Sequence, residues 1–206
     1  MPAILDESLD MHRNSRTGNL DVAAGTGQAY AKTDALFANE RFDHVGSTCS
    51  LIVVTNGRAF FTNAGDSLAM VAFNDGNLRI MSAEHKVGDP AEMKRILDLG
   101  GPVTESDTWR VGGLNVARGF GDRALKKWVV STPYICSAMT KDIRYIVNAS
   151  DGLWDAVDRD DLRVVDDALE DVSIENCASK IRALIELAQR RGSTDNITVS
   201  VVLFNV

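Results

Sequence analysis

The sequence is poor in the groups that make a stapled or membrane-spanning protein. Among 206 residues there are 3 cysteines. Cys49, Cys136 and Cys177 stand far apart and form no CxxC pair, so neither a zinc site nor a disulfide framework is read from them. Each reads instead as a small apolar interior residue, and a reducing compartment is the default. No apolar run approaches the ~20 residues a bilayer span requires. Positive charge is in the minority, with Lys+Arg 22 against Asp+Glu 29 and a formal net charge of −7. A general nucleic-acid binder needs the opposite balance to neutralise phosphates, whereas this one suits a protein that gathers carboxylates around cations. The opening stretch MPAILDESLDMH is acidic and has neither an apolar centre nor an Arg-rich face. No signal or transit peptide is read there, and the expected location is intracellular, cytoplasmic by default with an organelle left open.

What is present is a globular composition, 45% hydrophobic and 25% charged. It excludes a mostly disordered chain, a collagen-like fibre and a simple coiled coil. Residues 1–18 have no clear period and read as an N-terminal arm, leaving 19–206 as the folded domain. Leu20 to Arg41 is alanine-rich and reads as helix. Ser50–Thr55 and Arg58–Thr62 read as strands joined at Asn56-Gly57, a pair suited to the two left-handed positions of a hairpin turn. A second pair, Leu68–Phe73 and Leu78–Met81, turns at 74–77, so residues 48–81 predict one antiparallel meander. Asp89-Pro90-Ala91-Glu92 predicts a helix start with Glu92 in the reciprocal capping position, and Gly100-Gly101 predicts its stop. Further strands are expected at 113–117, 135–138, 143–149 and 196–204, and helices at 158–170 and 173–190. The class is α+β with antiparallel sheet.

Carboxylates stand at turns rather than inside elements: Asp66 after Gly65, Asp122 after Gly121, Asp151 at the end of the most apolar strand, and Asp195 before the last one. Such groups suit Mg²⁺ or Mn²⁺, hard ions that take oxygen ligands. Each also suits the simpler role of an Asp bonding its own backbone in a turn.

Six stretches in order decide which family the chain resembles: GSTCSLIVV (46–54), NAGDSLAMV (63–71), SAEHK (82–86) with EMKRI (92–96), VGGLNVARGFGD (111–122), NASDGLWDAV (148–157) and GSTDNITVSVV (192–202). Together they resemble the metal-dependent protein phosphatases of type 2C over about residues 46–202. The resemblance implies two antiparallel sheets packed as a sandwich and flanked by helices. It implies hydrolysis of phosphoserine or phosphothreonine by a water held between two Mg²⁺ or Mn²⁺ ions. By motif, Asp151 and Asp195 match core metal ligands, and Asp66 and Asp155 match positions lining an additional metal site; Asp155 sits four residues after Asp151, so a helical turn after the strand can point both the same way.

The departures from that pattern bear on activity. The family opens with a segment carrying a phosphate-binding arginine and an Asp-Gly-His-Gly-Gly motif, and neither is found in these 206 residues. Asp43-His44 reads as a helix–strand connection, His85 belongs to the EHK stretch and His12 to the arm. Arg118 reads as a structural cation paired with a nearby carboxylate, and Leu68 stands where the family usually has Arg. The domain is therefore expected to be a sandwich incomplete at its N-terminus, holding one Mg²⁺ or Mn²⁺ weakly or none. Two functions fit: a pseudophosphatase acting as a scaffold or interaction subunit, or a phosphatase whose first segment lies outside this chain. Unpaired strands call for cover from residues 1–45, a second copy or another protein, so self-association or a protein partner is expected. A phosphoprotein substrate is implied; nucleic acid and membrane are not.

Overall fold

The computed structural model describes residues 1–14 and 20–204. The boundary placed between arm and domain at 18/19 lies outside the described residues. In chain order the elements are helices α1 (Pro2–Met11) and α2 (Val22–Ala35), then strands β1 (Gly46–Ser47), β2 (Cys49–Thr55), β3 (Arg58–Ala64), β4 (Leu68–Phe73) and β5 (Leu78–Ile80). Helix α3 (Pro90–Asp98) precedes β6 (Val103–Glu105), β7 (Trp109–Val111), β8 (Phe120–Gly121), β9 (Tyr134–Met139) and β10 (Ile143–Ala149). The chain ends with α4 (Asp151–Trp154), α5 (Arg163–Ala168), α6 (Cys177–Arg190) and β11 (Val199–Leu203). No helix among the described residues is long and apolar enough to cross a membrane.

Two compact units share the chain. Residues 1–49, 62–66 and 84–135 make up the first, and 50–61, 67–83 and 136 onward the second. The second unit is the β-sandwich. Its four-stranded sheet has the order β11-β10-β4-β5, and β2-β3-β9 form a three-stranded sheet. Alternation along β4 sends Leu68, Met70 and Ala72 to a core shared with Leu153, Trp154, Val165 and Leu184 of the helices. The other face, Ala69 and Val71, packs with Ala59, Phe61 and Ile146 between the sheets. Period-two geometry produces this split: successive strand residues face opposite sides. A bulge between Ile143 and Tyr145 breaks that period in β10. Ile143 consequently joins the inter-sheet core while Tyr145 joins the helix-side core.

The expected meander is corrected. The hairpin itself stands, with Asn56 at φ 49° and Gly57 at φ 71°. The next pair, β4 and β5, belongs to the other sheet. The chain changes sheet through residues 64–67, where Gly65 at φ 114° turns it. Hydrophobic alternation sets which face is buried and says nothing about which sheet a strand joins.

The first unit holds α1, α2, α3 and two short strand pairs. Residues 2–11, read as part of an arm with no clear period, form α1, with Pro2 at its first position and Leu5 and Ser8 buried. A Cβ on Gly25 would lie 2.9 Å from Leu9 Cδ2. Gly25 lets the two helices close up there, which offsets the ~0.5–1 kcal/mol a helix-interior glycine costs. Asp21 caps α2 by accepting from Ala24 N at 3.0 Å. Asp89 caps α3 as expected, accepting from Ala91 N at 2.9 Å and Glu92 N at 3.1 Å. Glu92 does not cap reciprocally. It is 4% exposed and its carboxylate lies between Arg95 and Arg118. The strand expected at 113–117 is also corrected. Val111 and Leu114 exchange backbone hydrogen bonds across Gly112 (φ 57°) and Gly113 (φ 93°), so this stretch is a tight turn.

His85 is buried in the first unit, with Nδ1 at 3.1 Å from Gly65 O. Burial first, and the Arg118 charge second, hold its pKa at about 4, against a usual 6.5. Glu92 and Asp89 oppose that shift without cancelling it. The unfolded chain therefore takes up the His85 proton at a higher pH than the folded chain. The associated stability is present above about pH 6.5 and is lost as pH falls toward 4. Allowing for solvent screening, the expected loss is about 2 kcal/mol. Denaturation at pH 7 and pH 4.5 should show that difference in the wild type and a smaller one in His85→Gln, which cannot take up the proton. Equal pH dependence in the two proteins would refute it.

Candidate functional site

The site is built where the central strand β10 gives way to α4. Residues Ile143–Ala149 are apolar apart from Arg144 and Asn148, and the strand lies between β11 and β4. Ser150 ends it. Its backbone N donates to Thr198 O at 3.0 Å and its hydroxyl donates to Asn196 O at 3.2 Å while accepting from Thr198 N at 3.0 Å. Those bonds fix the start of α4 against the approach to β11. Asp151 opens α4, where the helix dipole favours a carboxylate, and its Oδ1 accepts from Gly152 N at 3.0 Å. Asp155 N donates to Asp151 O at 2.8 Å, so the two carboxylates lie one helical turn apart.

Two further contacts set this turn in place. Trp154 is 1% exposed and its Nε1 donates to Leu68 O and Ala149 O, each at 3.0 Å. Gly152 leaves room for the opposite wall: a Cβ there would lie 2.4 Å from Asn196 O. That wall is the segment after α6. Gly192, at φ 93°, ends the helix, with Gly192 N bonded to Gln189 O and Ser193 N to Ala188 O, each at 3.0 Å. The Ser193 hydroxyl then donates to Gly152 O at 2.7 Å and ties the two walls together. Asp195 Oδ1 accepts from Asn196 N at 2.6 Å.

Between the walls is an open cleft of about 240 Å³, lined by Asp151, Gly152, Asp155 and Ala156 on one side and residues 191–195 on the other. The structure thus brings three of the four expected metal-site residues, Asp151, Asp155 and Asp195, to one cleft. Asp66 belongs to the first unit, where it is 4% exposed in the turn after β3. Asp122 also lies in the first unit, in left-handed backbone at φ 47°, and burial pushes its carboxyl pKa up. His44 is exposed after the 3₁₀ turn Glu40–Phe42, and Asp43 accepts from Arg123 Nε at 2.6 Å, so this pair sits in a helix–strand connection. Arg118 donates to Glu92 Oε1 at 2.6 Å, the structural pairing expected of it.

As a donor set the cleft offers carboxylate and hydroxyl oxygens, which fit a hard cation such as Mg²⁺ or Mn²⁺ and no soft one. Among the described residues, no three His, Cys, Asp or Glu side chains are grouped closely enough to enclose a metal ion. An ion here would keep several waters. Sequence reasoning missed Arg191 and Ser193. The signal for both was their place between the end of the last amphipathic helix and Asp195, in a glycine turn that brings them to the same wall.

The model of the family described as protein phosphatase 2C matches residues 1–197. A rice protein (Oryza sativa subsp. japonica), "Probable protein phosphatase 2C member 13, mitochondrial", is 39% identical over 193 residues, covering 90% of this chain and 51% of its own length. "Probable protein phosphatase 2C 59" of Arabidopsis thaliana is 38% identical over 189 residues, covering 89% of this chain and 59% of its own. The chain thus spans little more than half the length of these relatives. The solved structure of a C. elegans sex determining protein superposes with a TM-score of 0.81 at 24% identity, over 97% of this chain and 51% of that one. A serine-threonine phosphatase 2C from Toxoplasma gondii gives 0.74 at 24% identity, over 89% and 67%. At such identities the two structures attest the fold: antiparallel sheets with flanking helices. From the family match over residues 1–197 and the identity to these relatives, the chain belongs to the protein phosphatase 2C family.

Proposed function

We propose that these 206 residues form a protein phosphatase 2C-like domain that holds one Mg²⁺ or Mn²⁺ weakly and is impaired in hydrolysis as it stands. Its role on this reading is that of a pseudophosphatase, a scaffold or interaction subunit with a protein partner or a second copy. The observation that carries it is the shared cleft of Asp151, Asp155 and Asp195, with carboxylates enough to attract a cation but not grouped to enclose one. Asp151 and Asp155 would hold the ion from one wall and Asp195 from the other. A bound Mg²⁺ or Mn²⁺ supplies Lewis acidity and lowers the pKa of a coordinated water. The chain's own part is to fix the carboxylates: Ser150, Trp154 and Ser193 do this through the bonds already described. Without Asp-Gly-His-Gly-Gly, these residues include no counterpart of its bridging carboxylate or its acid histidine. Loss of a general acid by itself lowers a rate by about 10²–10⁴.

A second reading is a metal-dependent protein serine/threonine phosphatase, acting on phosphoproteins, whose first segment lies outside these residues. The coverage of the relatives favours it, at 51% and 59% of their lengths. Compartment follows the same logic: three free thiols suit a reducing interior.

One set of measurements separates the readings. The chain should bind Mn²⁺ with a dissociation constant of about 0.1–1 mM, the range of loosely built oxygen sites. Asp151→Ala should weaken that by about tenfold or more. Hydrolysis of a phosphothreonine peptide should remain at background with or without Mn²⁺. Mn²⁺-dependent turnover that disappears in Asp151→Ala would refute impairment and establish the second reading. Unchanged Mn²⁺ affinity in Asp151→Ala would refute the metal site.

A further inference from the structure

We propose that Thr132 is a phosphorylation site and that its phosphate pairs with Arg118. The site belongs to the first unit and does not depend on the metal-site reading. Of the 4 prolines, Pro133 alone follows a hydroxyl-bearing residue, since Pro2, Pro90 and Pro102 follow Met1, Asp89 and Gly101. Thr132 is exposed, and residues 131–133, just before β9, form neither helix nor strand. The ring of Pro133 favours extended backbone at the residue before it, the shape in which a peptide lies in a kinase groove. The segment thus presents a hydroxyl, an extended backbone and a ring without an N–H to a proline-directed serine/threonine kinase. In the transfer, Thr132 Oγ1 attacks the γ-phosphorus of ATP held by the kinase. The Oγ1–P bond forms, the bond from that phosphorus to the bridging oxygen breaks, ADP leaves, and the hydroxyl proton passes to the kinase's base.

The chain supplies a cation already at the site. Arg118 Nη1 donates to Thr132 O at 2.9 Å, and this bond uses one of the two N–H groups that Nη1 carries. The rest of the guanidinium faces Glu92: Nε donates to Oε1 at 2.6 Å, and Nη2 forms an ion pair with the same oxygen. A phosphate on the side chain of Thr132 can take the second Nη1 hydrogen and leave the bonds to Glu92 intact. Local charge favours it as well. Arg118 and Arg95 share Glu92, so two guanidiniums have one carboxylate between them. Among the described residues, the buried Nη1 of Arg95 meets no acceptor. Arg123 and Lys126 are paired with Asp43 and Asp34, which leaves Arg118 as the cation placed for Thr132. Phosphothreonine carries a charge of about −1.5 to −2 at pH 7 and bonds a guanidinium more strongly than a neutral hydroxyl does. The modification therefore ties residues 131–133 to Arg118 and, through Glu92, to α3.

The experiment treats the whole folded chain with a proline-directed serine/threonine kinase and ATP, and locates the phosphate by mass spectrometry of its peptides. Thr132 should gain one phosphate, and Pro133→Ala should lower that incorporation by about tenfold or more. A phosphorus NMR titration then reads the pairing. The second pKa of the phosphate should fall from about 6 in the urea-unfolded chain to about 5.5 or lower in the folded one, because an adjacent guanidinium favours the dianion. That comparison needs no variant. In Arg118→Gln the folded value should return to the unfolded one, and in Arg118→Lys it should lie between. A folded chain that takes no phosphate at Thr132, or takes it only after unfolding, would overturn the proposal. Equal incorporation in Pro133→Ala would do the same for recognition by a proline-directed kinase. A second pKa equal in the folded and unfolded chains would overturn the pairing with Arg118.

Discussion

Replacing Trp154 by alanine is expected to cost the second unit about 5 kcal/mol of unfolding free energy. Two effects add. Trp154 is 1% exposed and packs in the core with Leu68, Leu153, Val165 and Leu184, and truncating a buried aromatic to alanine costs about 3–5 kcal/mol. Its indole N–H also donates to Leu68 O and Ala149 O. Losing that donor where water enters poorly adds about 1–2 kcal/mol. Against a typical domain stability of about 5–15 kcal/mol, the sum leaves a protein near its folding threshold. Trp154→Phe separates the effects: most of the packing remains, the indole bonds go, and about 2 kcal/mol should be lost. Denaturant titrations of wild type and both variants measure this. A loss below about 2 kcal/mol for Trp154→Ala would mean that α4 is not pinned by the indole.

This dependence links stability to the site, because Asp151 and Asp155 sit on either side of the residues Trp154 anchors. How much of that was legible in the sequence differs from part to part. The resemblance singled out Asp155 beside Asp151, and their spacing of four residues then allowed one helical turn to align them. Their meeting with Asp195 was not in any spacing: it depends on Ser150 bonding Asn196 and Thr198 and on the Ser193 tether, contacts between segments distant in the chain. It was reached through family resemblance. Asp66 lies in a buried turn of the first unit, a burial that its Gly-Asp motif did not announce.

The fold shows the same division between local and distant causes. Asn56-Gly57 announced its hairpin because the turn geometry is set by those two residues alone. The capping of α3 by Asp89 was equally local. The bulge in β10 was invisible: Ile143 and Tyr145 are two apart, and plain alternation puts them on one face. The turn at 111–114 defeated the strand expected at 113–117 because glycines 112 and 113 adopt left-handed backbone, overriding the apolar residues around them. Helix α1 was missed because its buried side is narrow, Leu5 and Ser8, and its support comes from α2.

Glu92 is the clearest case of tertiary structure overriding a local role, and its removal is expected to cost about 3–5 kcal/mol. The carboxylate is 4% exposed and both its oxygens are used. Oε2 accepts from Arg95 Nε at 2.9 Å and Nη2 at 2.7 Å, and Oε1 accepts from Arg118 Nε at 2.6 Å. Arg95 Nη2 also donates to Ala117 O at 3.0 Å, and Arg118 Nη1 to Thr132 O at 2.9 Å. One anion thus joins α3 to the segments on either side of Arg118. Glu92→Ala leaves two guanidiniums facing each other with no counter-charge, and breaking such a buried cluster from one side is strongly destabilising. Glu92→Gln keeps the shape but turns an NH₂ toward one guanidinium, so it should cost about 2–3 kcal/mol. The decisive comparison is a double-mutant cycle. Once Glu92 is gone, Arg118→Ala relieves repulsion, so the double variant should be more stable than the sum of single losses predicts, by about 1–3 kcal/mol. Simple additivity would show that the carboxylate and Arg118 act independently. His85 supplies a second readout in the same experiment. Glu92 raises its pKa and Arg118 lowers it. Removing Glu92 should therefore push the imidazole pKa further down, and removing Arg118 should bring it back toward the usual histidine range.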